Sequence, residues 1–149
     1  LLMYGGAIAL GAAVSSSGAA LWISQQTISR WVVGAPMVVA VISGMSIFLT
    51  EAMSNSAVVA LLMPLTIGIA ADYGIEARVM ALVVSVPAGL GFTLPIGTPA
   101  NAIAYSSGYL SIRDMMVPGA ILAVSSWVVF NLVARYYWPL LGIFIGPTP

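Results

Sequence analysis

Thr50-Glu51-Ala52-Met53-Ser54-Asn55-Ser56 is a polar stretch set between two apolar arms, and its reading decides what kind of fold this chain can have. One arm runs from Trp31 to Leu49 and the other from Ala57 to Ala71, with Gly34-Ala35-Pro36 near the start of the first and Asp72-Tyr73-Gly74 behind the second. Crossing the hydrocarbon of a bilayer takes roughly 20 apolar residues at about 1.5 Å of rise each. The first arm has that length and the second falls short of it. Backbone freed from helix is tolerated at membrane depth only inside protein or beside a wet cavity. Two arms of similar length around a polar cluster therefore predict a re-entrant helical hairpin over 31–71, with its tip at 50–56.

A second interruption follows. Val79 to Leu110 is apolar and long enough for a crossing, yet it holds Pro87, Gly89, Gly91, Pro95, Gly97 and Pro99. In Leu94-Pro95-Ile96-Gly97-Thr98-Pro99-Ala100-Asn101 two prolines flank a glycine, which removes amide donors and favours an unwound linker between half-helices. Over 72–110 we expect a broken transmembrane helix with its unwound loop at 95–101. Met115 to Leu132 is a further apolar run, placing a final transmembrane helix and tail in 111–149. Gly5, Gly6, Gly11 and Gly18, with the Ser-rich stretch 14–18, give 1–30 the character of a connecting or lateral helix region. The opening Leu1-Leu2-Met3-Tyr4-Gly5-Gly6 reads as helix interior with no basic leader, so we expect a fragment of a longer protein.

Composition agrees with a membrane. Hydrophobic residues make up 61% of the 149, and only 5% are charged, against about 25% charged in a soluble domain. With no His and no Cys, zinc sites, thiol chemistry and His-based acid–base catalysis cannot be built here, and no nucleophile and base can be paired for an enzyme. The net charge is zero, and without a basic stripe no nucleic-acid partner is expected. Charges fall in islands: Arg30; Asp72, Glu76 and Arg78; Arg113 and Asp114; Arg135. Aromatic residues gather mostly at segment ends, as an interfacial belt requires.

The two polar clusters are the candidate site. Hairpin tips and broken helices expose free amides, which attract anions, and free carbonyls, which attract cations. Ser54, Asn55 and Ser56 stand where they can cap the second arm and still face a ligand. A first arm helical through to Ser54 puts the Thr50 hydroxyl on the same face. Hydroxyl, amide and carbonyl oxygens suit a hard cation such as sodium. The same side chains could instead bond within their own helix or glue helices together. Glu51 alone lies outside the charge islands. It is either a titrating carboxylate or a group hydrogen-bonded within the hairpin to support the tip, and no neighbouring His, Lys or second carboxylate is present to relay a proton.

The tip, the arm ending in Leu62-Met63-Pro64, and the stretch Leu94-Pro95-Ile96-Gly97-Thr98-Pro99-Ala100-Asn101-Ala102-Ile103 resemble the divalent anion:sodium symporter family in order and spacing. Tyr4 to Gly11 and Ser107 to Met115 are similar to the same family's carboxy-terminal half. The resemblance implies an all-α membrane protein, half of an inverted-repeat transporter that works as a homodimer with an elevator-like moving domain. It further implies secondary transport of a dicarboxylate, citrate-like anion or sulfate with sodium ions, in a plasma or bacterial inner membrane. Its partners would be a small anion, the bilayer and a missing amino-terminal repeat. By position, Ser54, Asn55, Ser56, Thr98 and Pro99 would bind the anion. Sodium would take the side chains of Thr50 and Asn55 and the backbone carbonyls of Met53 and Gly97, with Asn101 a further polar position of the loop. Ser56 stands where Thr is usual, which keeps the hydroxyl and loses a methyl. The implied topology also sets Arg30, Arg78 and Arg135 against Arg113, counter to the positive-inside preference. A sodium-independent exchanger of the same fold and a non-transporting membrane scaffold are the alternatives.

Overall fold

The computed structural model describes residues 34–95 and 97–146, together with Ala9, Ala13 and 16–18. The expected connecting region 1–30 lies almost wholly outside the described residues. Among the described residues the chain is helical, with no strand. Five α-helices follow in order: α1 (Ala35–Thr50), α2 (Asn55–Asp72), α3 (Ala77–Ala88), α4 (Pro99–Ser106) and α5 (Ile112–Leu132). The last runs on through a π-helical turn, Val133–Tyr137, and a 3-10 turn, Trp138–Leu141.

Local chemistry sets most boundaries. Gly34, at φ 101°, precedes α1, and Pro36 occupies its first turn, where a missing N–H costs nothing. Helix α2 starts at a Ser54 cap and ends in a Schellman turn: Gly74 sits at φ 64°, the Ile75 N–H donates to the Ala70 carbonyl (2.9 Å) and the Gly74 N–H to that of Ala71 (3.3 Å). Ser111 opens α5 with a capping box. Its hydroxyl accepts the Asp114 N–H (3.3 Å), and the Asp114 carboxylate accepts the Ser111 N–H (2.9 Å).

Helix α3 is the centre of the packing. It lies against both α1 and α2, which also touch each other, while α5 packs on α1. Val79, Met80, Val83, Val84 and Ala88 are fully buried, at the helical spacing that lines one face. Val38, Val39 and Ile42 of α1 and Val58 and Leu62 of α2 close around them. Full burial of one such side chain is worth about 1.5–3 kcal/mol. Helix α5 is the opposite case: Val117, Ile121, Val124 and Val129 are more than half exposed, a run that water would not tolerate and lipid or further protein would cover. The stretch Ile112–Leu141 is long and apolar enough to cross a membrane, as is Asn55–Asp72.

The interruption inside 72–110 falls earlier than the spacing of prolines predicts. Helix α3 ends at Ala88, the described residues between 89 and 98 are non-helical, and α4 restarts at Pro99. Residues 99–101, expected in the unwound loop, form the first helical turn. Pro99 is pre-organised for that position, and the Thr98 hydroxyl caps it by accepting the Asn101 N–H (3.2 Å).

Candidate functional site

Ser43, Ser46 and Thr50 form a polar stripe on α1, and all are fully buried. Ser46 donates to the Val84 carbonyl (2.7 Å), which binds the stripe to α3. One turn on, the Thr50 hydroxyl oxygen lies 2.8 Å from the Ala88 carbonyl oxygen and 2.7 Å from Asn55 Oδ1. A hydroxyl carries one proton, so it satisfies one of these two acceptors and leaves the other O···O approach without one. A rotated Asn55 amide would supply the missing proton, and a cation would supply the missing charge. Three oxygens converging with one proton among them is the donor chemistry of a hard-cation site.

Helix α1 does not continue past Thr50. The chain turns through 51–53, with the Ala52 and Met53 N–H groups on the Leu49 carbonyl, because Ser54 adopts the extended backbone that a cap requires. The Ser54 hydroxyl accepts the Ala57 N–H (3.3 Å). Thr50 therefore meets Asn55, and the expected shared face with Ser54 is lost with the helical turn that would have created it.

Glu51 departs from its expected place. Its carboxylate accepts three consecutive amides of the linker: Phe92 (3.0 Å), Thr93 (3.0 Å) and Leu94 (2.8 Å). It bonds across to the linker rather than within the hairpin. In a continuing helix the Phe92 N–H would have gone to the Ala88 carbonyl. That carbonyl instead faces the Thr50 hydroxyl, so two adjacent residues at the end of α1 lie against the backbone groups that the break leaves without helical partners.

The linker has no slack. A Cβ on Gly91 would stand 2.7 Å from Thr50 Cγ2, and one on Gly119 of α5 would stand 2.3 Å from the Phe92 carbonyl oxygen. Gly97 is buried, with the Thr50 carbonyl and Glu51 Oε2 each 3.5 Å from where its Cβ would be. The Leu94 carbonyl accepts both the Gly97 N–H (3.1 Å) and the Asn101 side-chain amide (3.1 Å), which folds the loop and gives Asn101 a bracing role.

Thr50, Asn55 and Gly97 are thus brought together. Met53 lies in the turn with its side chain against the core. Ser54, Ser56 and Pro99 are exposed and Thr98 is half-buried, and among the described residues no hydrogen bond joins Ser54 or Ser56 to Thr98 or Pro99. Gly91, Gly119 and the Ala88 carbonyl were not legible as site elements. The only sequence signal for Gly119 is a Pro-Gly pair near the start of an apolar run. A separate cleft of about 350 Å³ between α1 and α5 has Glu51 and Thr93 at one end and walls of Ile47, Phe48, Ala123 and Trp127. The Trp127 N–H is already bound to Ala40 and Ser43, so those walls offer a small dianion nothing to hold.

A family model described as the sodium:sulfate symporter transmembrane region matches residues 1–144. Among curated proteins, a sodium-dependent dicarboxylate transporter SdcS of Staphylococcus aureus is 34% identical over 151 residues, covering all of this chain and 29% of the relative. The SdcS of Staphylococcus saprophyticus subsp. saprophyticus is 32% identical over 144 residues, covering 96% of this chain and 28% of the relative. The chain spans less than a third of the length of these relatives.

Proposed function

The chain belongs to the family of the sodium:sulfate symporter transmembrane region, a family of integral membrane transporters rather than enzymes, and from that premise we propose that it is the carboxy-terminal repeat of a sodium-coupled anion symporter. Its cargo is a divalent organic anion, dicarboxylate or citrate-like, or sulfate. The relatives' names favour a dicarboxylate. The other half of the site comes from an amino-terminal repeat, and the working unit is a homodimer with elevator-like displacement of the transport domain. Helices α1 and α2 form the re-entrant hairpin, and α3 with α4 the broken transmembrane helix.

Sodium binds first, on the Thr50 and Asn55 side chains with the Met53 and Gly97 carbonyls. The single observation that carries this is the Thr50 hydroxyl set between two acceptor oxygens. The ion offsets the dipoles of its carbonyl ligands and ties the tip to the linker. The anion is then held by Ser54, Asn55, Ser56 and Thr98, at the amide ends of α2 and α4, with Pro99 shaping the loop. Coupling requires that sodium favour the anion-binding state.

Uptake of radiolabelled succinate and sulfate into proteoliposomes of the full-length parent tests the reading. A sodium gradient should drive uptake of at least one of the two, and Asn55→Ala should abolish it. Equal uptake without sodium would replace symport by exchange, and an Asn55→Ala protein as active as its parent would sink the site.

A further inference from the structure

We infer that Glu51 is a positioning residue for transport: its carboxylate, a resident anion on the amides of Phe92, Thr93 and Leu94, locks the linker to the turn after α1 and so sets the affinity of the sodium site beside it. The inference rests on the sodium-coupled reading given above. Both carboxylate oxygens are engaged, at 2.8–3.0 Å, by three amides in a row. Successive backbone N–H groups of this kind form an anion-binding concavity, and here the anion is part of the chain. Glu51 follows directly on Thr50, so the group that holds the linker amides and the group that offers a sodium oxygen move as one piece. Gly97, a carbonyl ligand in that reading, is buried beside both: a Cβ built on it would lie 3.5 Å from Glu51 Oε2 and 3.5 Å from the Thr50 carbonyl oxygen.

A carboxylate does this and its neutral analogue does not. The carboxamide introduced by Glu51→Gln turns an NH2 group toward a row of N–H donors, so it cannot accept all three. The same substitution removes a negative charge from the neighbourhood of a cation. Partners that orient metal ligands typically cost 10–100-fold in affinity when lost, and that is the scale expected for the sodium midpoint. The effect falls on sodium rather than on turnover, because Glu51 has no place among the anion's own ligands.

The test uses the full-length parent with its cysteines removed and Thr93→Cys added, a position where the amide, and not the side chain, makes the bond to Glu51. Maleimide labelling of that cysteine should be slow with Glu51 intact and about tenfold faster in Glu51→Gln, in line with the loss of an orienting partner. In uptake, Glu51→Gln should raise the sodium midpoint on the same scale while the rate at saturating sodium changes little. Glu51→Asp, which keeps the charge on a shorter arm, should fall between the two in both readouts, and it serves where Glu51→Gln does not fold. Equal labelling rates in the parent and the variants, or a lost maximal rate with an unmoved sodium midpoint, would overturn the inference. Uptake by the unsubstituted parent that ignores sodium would instead sink the symport reading, and the labelling comparison reads the tie without uptake.

Discussion

The two interruptions in the helical chain are built on different terms. The turn at 51–54 closes with its own neighbours: the Ala52 and Met53 amides return to Leu49, and Ser54 caps Ala57. The linker at 89–98 is longer, and the amides of Phe92, Thr93 and Leu94 have their partner in Glu51, 41 to 43 residues away. It is pressed from the other side by α5 at Gly119. The turn is held by bonds along its own stretch of chain, whereas the linker keeps its shape only while distant neighbours stay in place.

Substitutions should separate the two. The largest effect is expected from Gly119→Ala, whose Cβ would meet linker backbone at 2.3 Å rather than a side chain able to move aside. Forced overpacking of this kind costs about 3 kcal/mol or more when backbone must shift, and thermal unfolding of the purified full-length protein should show it as the greatest fall in Tm of the set. Gly91→Ala comes next. Its Cβ would press on the Thr50 methyl at 2.7 Å, a branched side chain with little rotamer freedom, so about 1–3 kcal/mol of stability is lost. The displaced hydroxyl should also raise the sodium concentration needed for half-maximal uptake. Ser54→Ala should do least to the fold. It removes one local cap, worth about 1 kcal/mol, and in unfolding measurements α2 should lose only that. A Ser54→Ala protein less stable than Gly119→Ala would reverse the contrast between tip and linker.

What could be seen in the sequence follows the same division. Ser54 as a cap of the second arm is a local pattern, and α2 begins directly after it. The end of α3 at Ala88 was not visible, since it depends on Thr50 and Glu51 taking over the hydrogen bonds of the next turn from a distant part of the chain. For the same reason the loop expected at 95–101 lies at 89–98. The resemblance implied that Thr50 and Asn55 share a ligand, whereas helical spacing alone pairs Thr50 with Ser54. The pairing with Asn55 depends on α1 stopping at Thr50, and helical spacing assumes that it does not. Gly91 was visible only as one glycine of the break, and the contact that each of Gly91 and Gly119 makes possible lies in what approaches it in the fold.

Whether Thr50 and Asn55 hold sodium is read from the dependence of Tm on sodium for the full-length protein and for Thr50→Val, with choline keeping the ionic strength constant. An ion that binds only the folded state stabilises it by about 2.7 kcal/mol at about a hundred times its Kd. Tm should climb with sodium in the parent and stay flat in Thr50→Val, whatever the variant's starting Tm. A climb of equal size in both proteins would contradict a sodium site at Thr50.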